Sequence, residues 1–176
     1  MGTTLPLPDV SQAEINIEVT LKNHAKESIS GTLEGTFGDI TFDQPVTLDG
    51  KTSKTIKLDP TTHPQLRMQS PELWWPKGYG EQNMYDVSLS FLVEEIQVSD
   101  TKEFKTGIRQ MTYSEEGGIL KIWINGRRFI GRGGNWGFPE SNLCYRAREY
   151  DIAVRYHSDM NFTMIRNWVG QTGDEE

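Results

Sequence analysis

Residues 119–136, ILKIWINGRRFIGRGGNW, constrain the fold more than any other stretch of this chain. Leu120, Ile122 and Ile124 alternate with Lys121 and Trp123, the period-two pattern of a strand with one buried face. Asn125-Gly126 then supplies two residues that tolerate positive φ, as a tight type I′ hairpin turn requires. Arg127-Arg128-Phe129-Ile130 opens a return strand. Gly131, Gly133 and Gly134 come next, and a polar and an aromatic residue, Asn135-Trp136, stand where that strand gives out. The chain before this hairpin reads as all-β, and the chain after it reads as strand, helix, strand. The protein is expected to be mainly β and to join two architectures here.

Upstream, residues 1–12 read as a linker. From Ala13 the alternation is clear, with Ile15, Ile17, Val19 and Leu21 on one face and Glu14, Asn16, Glu18 and Thr20 on the other. A turn at Asn23–Glu27 leads to a strand through Ile29, Gly31, Leu33, Gly35 and Phe37. Shorter strands are predicted at Thr41–Leu48 and Ser53–Leu58, a strong one at Met84–Glu94, and a last one at Thr101–Tyr113 carrying Phe104, Ile108 and Met111. Strands at this spacing, with turn chemistry between them, indicate an antiparallel β-sandwich over residues 13–113. Residues 114–127 then form the connecting hairpin.

Pro71–Tyr85, PELWWPKGYGEQNMY, interrupts the pattern. Two adjacent tryptophans cannot face the same side of an extended chain, and the prolines and glycines forbid a helix. The stretch is expected to be an irregular crossing, with one Trp in the sandwich core and the other facing a neighbouring surface. Beyond the hairpin, Arg146–Met160 places Tyr150, Ala153, Val154 and His157 at helical spacing. Asn161–Arg166 reads as a short buried strand, whose context argues that the sequon Asn161-Phe162-Thr163 is accidental. Strand, helix, strand over about 40 residues is the pattern of a right-handed parallel crossover. One such unit cannot cover both faces of its sheet, so the natural protein is expected to continue beyond residue 176.

Composition removes several functions. The net charge is −7 and the 18 basic residues are scattered, a poor match to nucleic acid, which needs clustered cations. No run approaches the roughly 18 apolar residues of a membrane span, and MGTTLPLPDV has no signal-peptide pattern. The compartment stays open, a periplasmic or secreted parent included, and so does the oligomeric state. A single cysteine, Cys144, excludes an internal disulfide. With only three His a metal site is not expected, and Cys144 reads as a small part-buried hydrophobe. No cofactor is implied.

In parallel β/α folds, working residues gather at the carboxyl ends of strands. Two such ends are visible, Asn135-Trp136 and Arg166-Asn167-Trp168. Each sets an aromatic beside hydrogen-bonding groups, a combination that grips a sugar ring; Trp136 and Trp168 could equally cap a core. An Arg directly after a buried strand usually meets a carboxylate, in a salt bridge or a catalytic contact. Glycoside hydrolysis uses two carboxyl groups roughly 5 to 9.5 Å apart. Glu115 and Glu116 lie in the joint, Glu149 and Asp151 on a predicted solvent face, and Glu175 and Glu176 at the end. Glu140 alone sits in a rim loop, as a candidate substrate contact. No acid and nucleophile pair emerges.

These residues resemble glycoside hydrolase family 2. Pro71-Glu72-Leu73-Trp74-Trp75-Pro76, with Gly78, Gly80 and Tyr85, is similar to the P-x-L-W-W-P-x-G-x-G…L-Y pattern of that family's immunoglobulin-like sandwich. Gly107-Ile108-Arg109 matches its F-G-I-R ending, with Thr106 in place of Phe. Asn125-Gly126-Arg127 and Arg132-Gly133-Gly134-Asn135-Trp136 resemble the N-G-K…R-G-x-N-W entry to the catalytic barrel. Met164–Gly170 resembles the N-x-I-R-x-W-G-G of the second barrel strand in β-mannosidase and exo-β-glucosaminidase-like members.

The resemblance implies an immunoglobulin-like sandwich followed, over residues 128–176, by the truncated start of a (β/α)8 barrel. It implies a retaining exo-glycosidase acting on terminal β-mannosides, β-glucosaminides or β-galactosides, with both catalytic glutamates on later strands and other domains of the same chain as partners. Arg166 then supports the absent nucleophile, and Asn135, Trp136 and Trp168 line the sugar pocket. Val169 and Gly137-Phe138-Pro139-Glu140 depart from the usual pattern and leave the sugar open. The alternative is a non-catalytic sandwich module that binds carbohydrate or a partner protein, or a structural spacer.

Overall fold

The computed structural model describes residues 1–93, 97–136 and 147–167, with the side chains of Trp136 and Asn167 outside that description. Eight strands come first: β1 (Gly2–Thr4), β2 (Gln12–Lys22), β3 (Ile29–Phe37), β4 (Ile40–Leu48), β5 (Ser53–Leu58), β6 (Arg67–Gln69), β7 (Tyr85–Val93) and β8 (Gln97–Thr106). They make two antiparallel sheets, one ordered β1-β2-β5 with β6 also paired to the start of β2, the other ordered β4-β3-β7-β8.

The alternation predicts which side chains meet between the sheets. Ile15, Ile17 and Leu58 come from the first sheet; Leu33, Phe37, Phe42, Val46, Val87 and Phe91 from the second, in one buried cluster. Each such side chain contributes about 1.5–3 kcal/mol by leaving water. Phe37 also stacks on Tyr85 at 5.0 Å between centroids. Hydroxyl pairs fill the outer faces, Ser30 with Thr47 at 2.9 Å and Ser90 with Thr101 at 3.0 Å. Buried Asn23 closes one end of the sandwich, its amide donating to the carbonyls of Glu27, Leu48 and Asp49.

Three expectations need correction. Residues 1–12 are no linker: β1 pairs with Asn16, Ile15 and Glu14 of β2, and Leu5 is buried in the core. Three residues are too few to show a period, and Pro6 and Pro8 mask the rest. The predicted last strand, Thr101–Tyr113, is two strands. β8 ends at Thr106, and β9 (Met111–Ser114) turns away to pair with the hairpin, leaving Met111 and Tyr113 exposed. The hairpin thereby becomes a three-stranded meander of β9, β10 (Lys121–Ile124) and β11 (Arg127–Phe129). Finally, Asn161–Arg166 is not a buried strand. Asn161 is an exposed turn residue with φ 62°, the strand runs only over Met164–Asn167, and Met164 and Ile165 are 41% and 37% exposed.

The Trp74-Trp75 crossing is irregular, as expected, but it half-buries both rings instead of setting one in the core. Trp75 packs against the sandwich core, and Trp74 lies under the guanidinium of Arg109, 4.5 Å from the ring centroid. Two glycines admit the rings: a Cβ on Gly80 would come within 2.7 Å of Trp75, and one on Gly107 within 2.6 Å of Trp74. The hairpin then fastens onto this crossing through Asn125. Asn125 and Gly126 have φ 50° and 76°, as the two-residue turn demands. The side chain of Asn125 is buried; its Nδ2 donates to the Trp74 carbonyl at 3.0 Å and its Oδ1 accepts from the Gln110 amide at 2.8 Å.

Asn125→Gly keeps the backbone freedom and loses both side-chain bonds, so it should lower stability by about 1–3 kcal/mol through the unpaired carbonyl and amide. Asn125→Ala should cost more, because alanine adds strain at positive φ. Urea unfolding followed by tryptophan fluorescence checks the order.

Candidate functional site

The last described elements are β12 (Gly133–Trp136), α1 (Ala147–Asp159) and β13 (Met164–Asn167). β12 and β13 are parallel, with Gly133 opposite Met164, Asn135 opposite Arg166 and Trp136 opposite Asn167. The strand, helix, strand reading therefore holds, with both strands' carboxyl ends at one edge. Contact is close at the other end: a Cβ on Gly133 would stand 1.7 Å from the Met164 carbonyl oxygen. Thr163 ties the strand starts together, its amide donating to the Arg132 carbonyl at 2.8 Å and its Oγ1 accepting from the Arg132 amide at 2.9 Å.

Because Asn135 and Arg166 are register partners, their side chains project to the same face. Arg166 Nη1 donates to Asn135 Oδ1 at 3.2 Å. Ile165 lies along a cleft with Val154 and Phe162. Met164 lines the same cleft, and Asn135 and Arg166 lie at the carboxyl ends of their strands. Both are exposed. Among the described residues Arg166 makes no ion pair, and its partner is an amide rather than the carboxylate expected for a buried Arg. The premise fails because β13 is not buried in this chain. A guanidinium has five N–H donors and an amide two, so most of this pair's donors remain for a ligand.

Of the other candidates, Trp136 is in β12, one residue past Asn135. Trp168, Glu140 and Cys144 lie outside the described residues. Among the described residues no group of three or more His, Cys, Asp or Glu could hold a metal, and no helix is long and apolar enough to cross a membrane.

Sequence reasoning missed Lys77 and Tyr79, in the turn between Pro76 and Gly80. The Lys77 ammonium donates to the carbonyl and hydroxyl of Ser158, in the last turn of α1. Tyr79 Oη accepts from the Ile130 amide at 2.9 Å, and its ring lies 5.3 Å from that of Phe129. Arg127 sits over the Tyr79 ring at 5.3 Å and donates to the Tyr79 carbonyl at 3.3 Å. A signal was present: an aromatic flanked by glycines in an irregular crossing has no core face of its own to fill.

Residues 3–109 match the model of Glycosyl hydrolases family 2. This chain belongs to that family. An exo-β-D-glucosaminidase of Streptomyces avermitilis is 32% identical over 165 residues, which is 93% of this family 2 chain and 18% of the relative. A mannosylglycoprotein endo-β-mannosidase of Lilium longiflorum is 34% identical over 144 residues, 81% of this chain and 15% of the relative. The chain thus spans less than a fifth of these relatives. Among solved structures, an exo-chitosanase of Amycolatopsis orientalis superposes with a TM-score of 0.85 over 97% of this chain and 19% of its own, at 22% identity. A β-D-mannosidase of Dictyoglomus thermophilum gives 0.75 over 99% and 21%, also at 22%. At that identity the likeness speaks for the fold.

Gly133→Ala forces the Met164 carbonyl away and should cost the β12–β13 pair roughly 1–3 kcal/mol. Amide hydrogen exchange should then speed up at residues 164–167 and stay unchanged in β3 and β7.

Proposed function

We propose that this chain is part of a retaining, exo-acting glycoside hydrolase that removes terminal β-linked sugars. The immunoglobulin-like sandwich and the connecting meander lead into the first strand-helix-strand unit of a (β/α)8 barrel. The observation that carries the reading is the parallel β12–β13 pair, which brings Asn135 and Arg166 together at the carboxyl ends of two successive strands, where such barrels do their chemistry. The catalytic glutamates belong to later strands. Names among the relatives, exo-β-D-glucosaminidase and β-mannosidase, favour glucosamine or mannose over galactose at the cleaved end.

Each residue has a role that its geometry permits. Arg166 has donors left after its bond to Asn135, and beside a nucleophilic carboxylate they hold it ionised and ready to attack. Asn135 spends its carbonyl oxygen on Arg166, which orients the amide and leaves its NH2 to donate to a sugar hydroxyl. Trp136 and Trp168 offer apolar faces for the ring, and Glu140 adds a rim contact. Only the first two of these residues have described side chains.

The test uses the parent protein with p-nitrophenyl β-D-glucosaminide and β-D-mannoside. It should release nitrophenol from at least one, and Arg166→Ala should lower kcat by about 100-fold, as the loss of one preorganised donor does. The 176-residue chain alone should release none. A parent that cleaves no β-linked sugar would overturn the reading.

A further inference from the structure

We propose that Lys77 and Tyr79 are positioning residues: from one turn of the sandwich they hold the lower ends of α1, β12 and β13, and through those strands they set where Asn135 and Arg166 stand. The proposal rests on the reading of Asn135 and Arg166 as part of the sugar site.

The contacts are of two kinds. Lys77 places a cation on the carbonyl of Ser158, in the last turn of α1; that carbonyl also accepts from the Asn161 backbone amide at 2.9 Å. That position also suits the helix dipole. Tyr79 holds a backbone group: its hydroxyl accepts the Ile130 amide, three residues before β12 begins. Ile130 itself is 61% exposed, so little apolar burial fixes it there. From Ile130 the chain reaches Arg132, whose amide and carbonyl are bound to Thr163 at the start of β13. Phe162, beside Thr163, packs edge-on against His157 of α1 at 5.1 Å. Both strands and the helix are thus tied, at one end, to two side chains separated only by Gly78 (φ 80°).

The site lies at the other end of the same strands. At about 3.3 Å per residue, Asn135 and Arg166 stand on the order of 10 Å from these ties. A strand is stiff over that length, so a tilt at the tied end displaces the side chains at the free end. A misplacement of about 1 Å can cost 100-fold in rate.

The test has two arms. In the 176-residue chain, Tyr79→Phe keeps the ring and loses the acceptor, and Lys77→Met keeps the stem and loses the charge. Hydrogen exchange at residues 130–135 and 162–167 should rise about tenfold in each, with β2, β3 and β7 unchanged. Lys57→Met, which removes the exposed pair with Glu18, serves as the control and should change nothing. In the parent enzyme, kcat per active site, counted by covalent titration with a mechanism-based inhibitor, should fall about tenfold in both variants, and Lys77→Arg should recover most of it. A purely stabilising role would reduce the number of titratable sites and leave kcat per site unchanged, and that result overturns the proposal. Unchanged exchange in both variants overturns it as well. If the parent hydrolyses no glycoside, the glycosidase reading falls, and the positioning role falls with it, whereas a normal parent with kcat per site unchanged in the variants refutes positioning alone.

Discussion

The structure depends on two tryptophans that lie next to each other and face opposite ways. Trp75 packs against the core and Trp74 lies under Arg109, both rings half-buried, and the prolines and glycines around them make the chain here an irregular crossing rather than a strand. That crossing offers free carbonyls and side chains in directions a sheet edge does not. Asn125 takes the Trp74 carbonyl, Arg109 covers the Trp74 ring, and the next turn carries Lys77 and Tyr79. The sandwich is thereby joined to the meander and to the parallel unit through specific polar contacts. Such contacts set an orientation more narrowly than apolar contact would, because hydrogen bonds weaken steeply away from their preferred geometry.

The three parts differ in how they are held. The sandwich is stabilised by burial: Phe37, Ile15, Leu33, Leu58, Leu66 and Ile108 are almost wholly out of water. The meander has two large buried side chains of its own, Ile124 and Phe129, and leans on the crossing. The parallel unit exposes Val154, Tyr156, Met160, Met164 and Ile165 among its described residues. Local stability should follow that order, with the part proposed to touch substrate at the low end. The family assignment fits this gradient, since residues 3–109, the matched part, are the best buried.

Much of this was legible in the sequence, for identifiable reasons. Period-two runs placed β2, β3, β4, β5 and β7 within a residue or two, because each has one face in the core. Asn125-Gly126 announced its turn through backbone chemistry alone. β1 was not legible, since three residues carry no period and its pairing depends on β2. The break between β8 and β9 was hidden because Phe104, Ile108 and Met111 were read as apolar members of one strand, although Met111 is out of phase with the other two and Gly107–Gln110 turns the chain onto a different sheet. Asn135 and Arg166 were visible as residue types at strand ends. Their contact was not, because parallel register is set by the close approach of Gly133 to Met164, 31 residues apart. The partners of Lys77 and Tyr79 were hidden for the same reason, lying 81 and 51 residues away.

The two grips of the Pro76–Gly80 turn are unlike in kind. Lys77 meets α1 through its charge, whereas Tyr79 meets the chain before β12 through a neutral hydroxyl and an aromatic ring. Dissolved ions screen the first and leave the second nearly untouched. Rising ionic strength should therefore loosen the helix from the sandwich before it loosens the strands, giving the joint a graded response to the salinity around it.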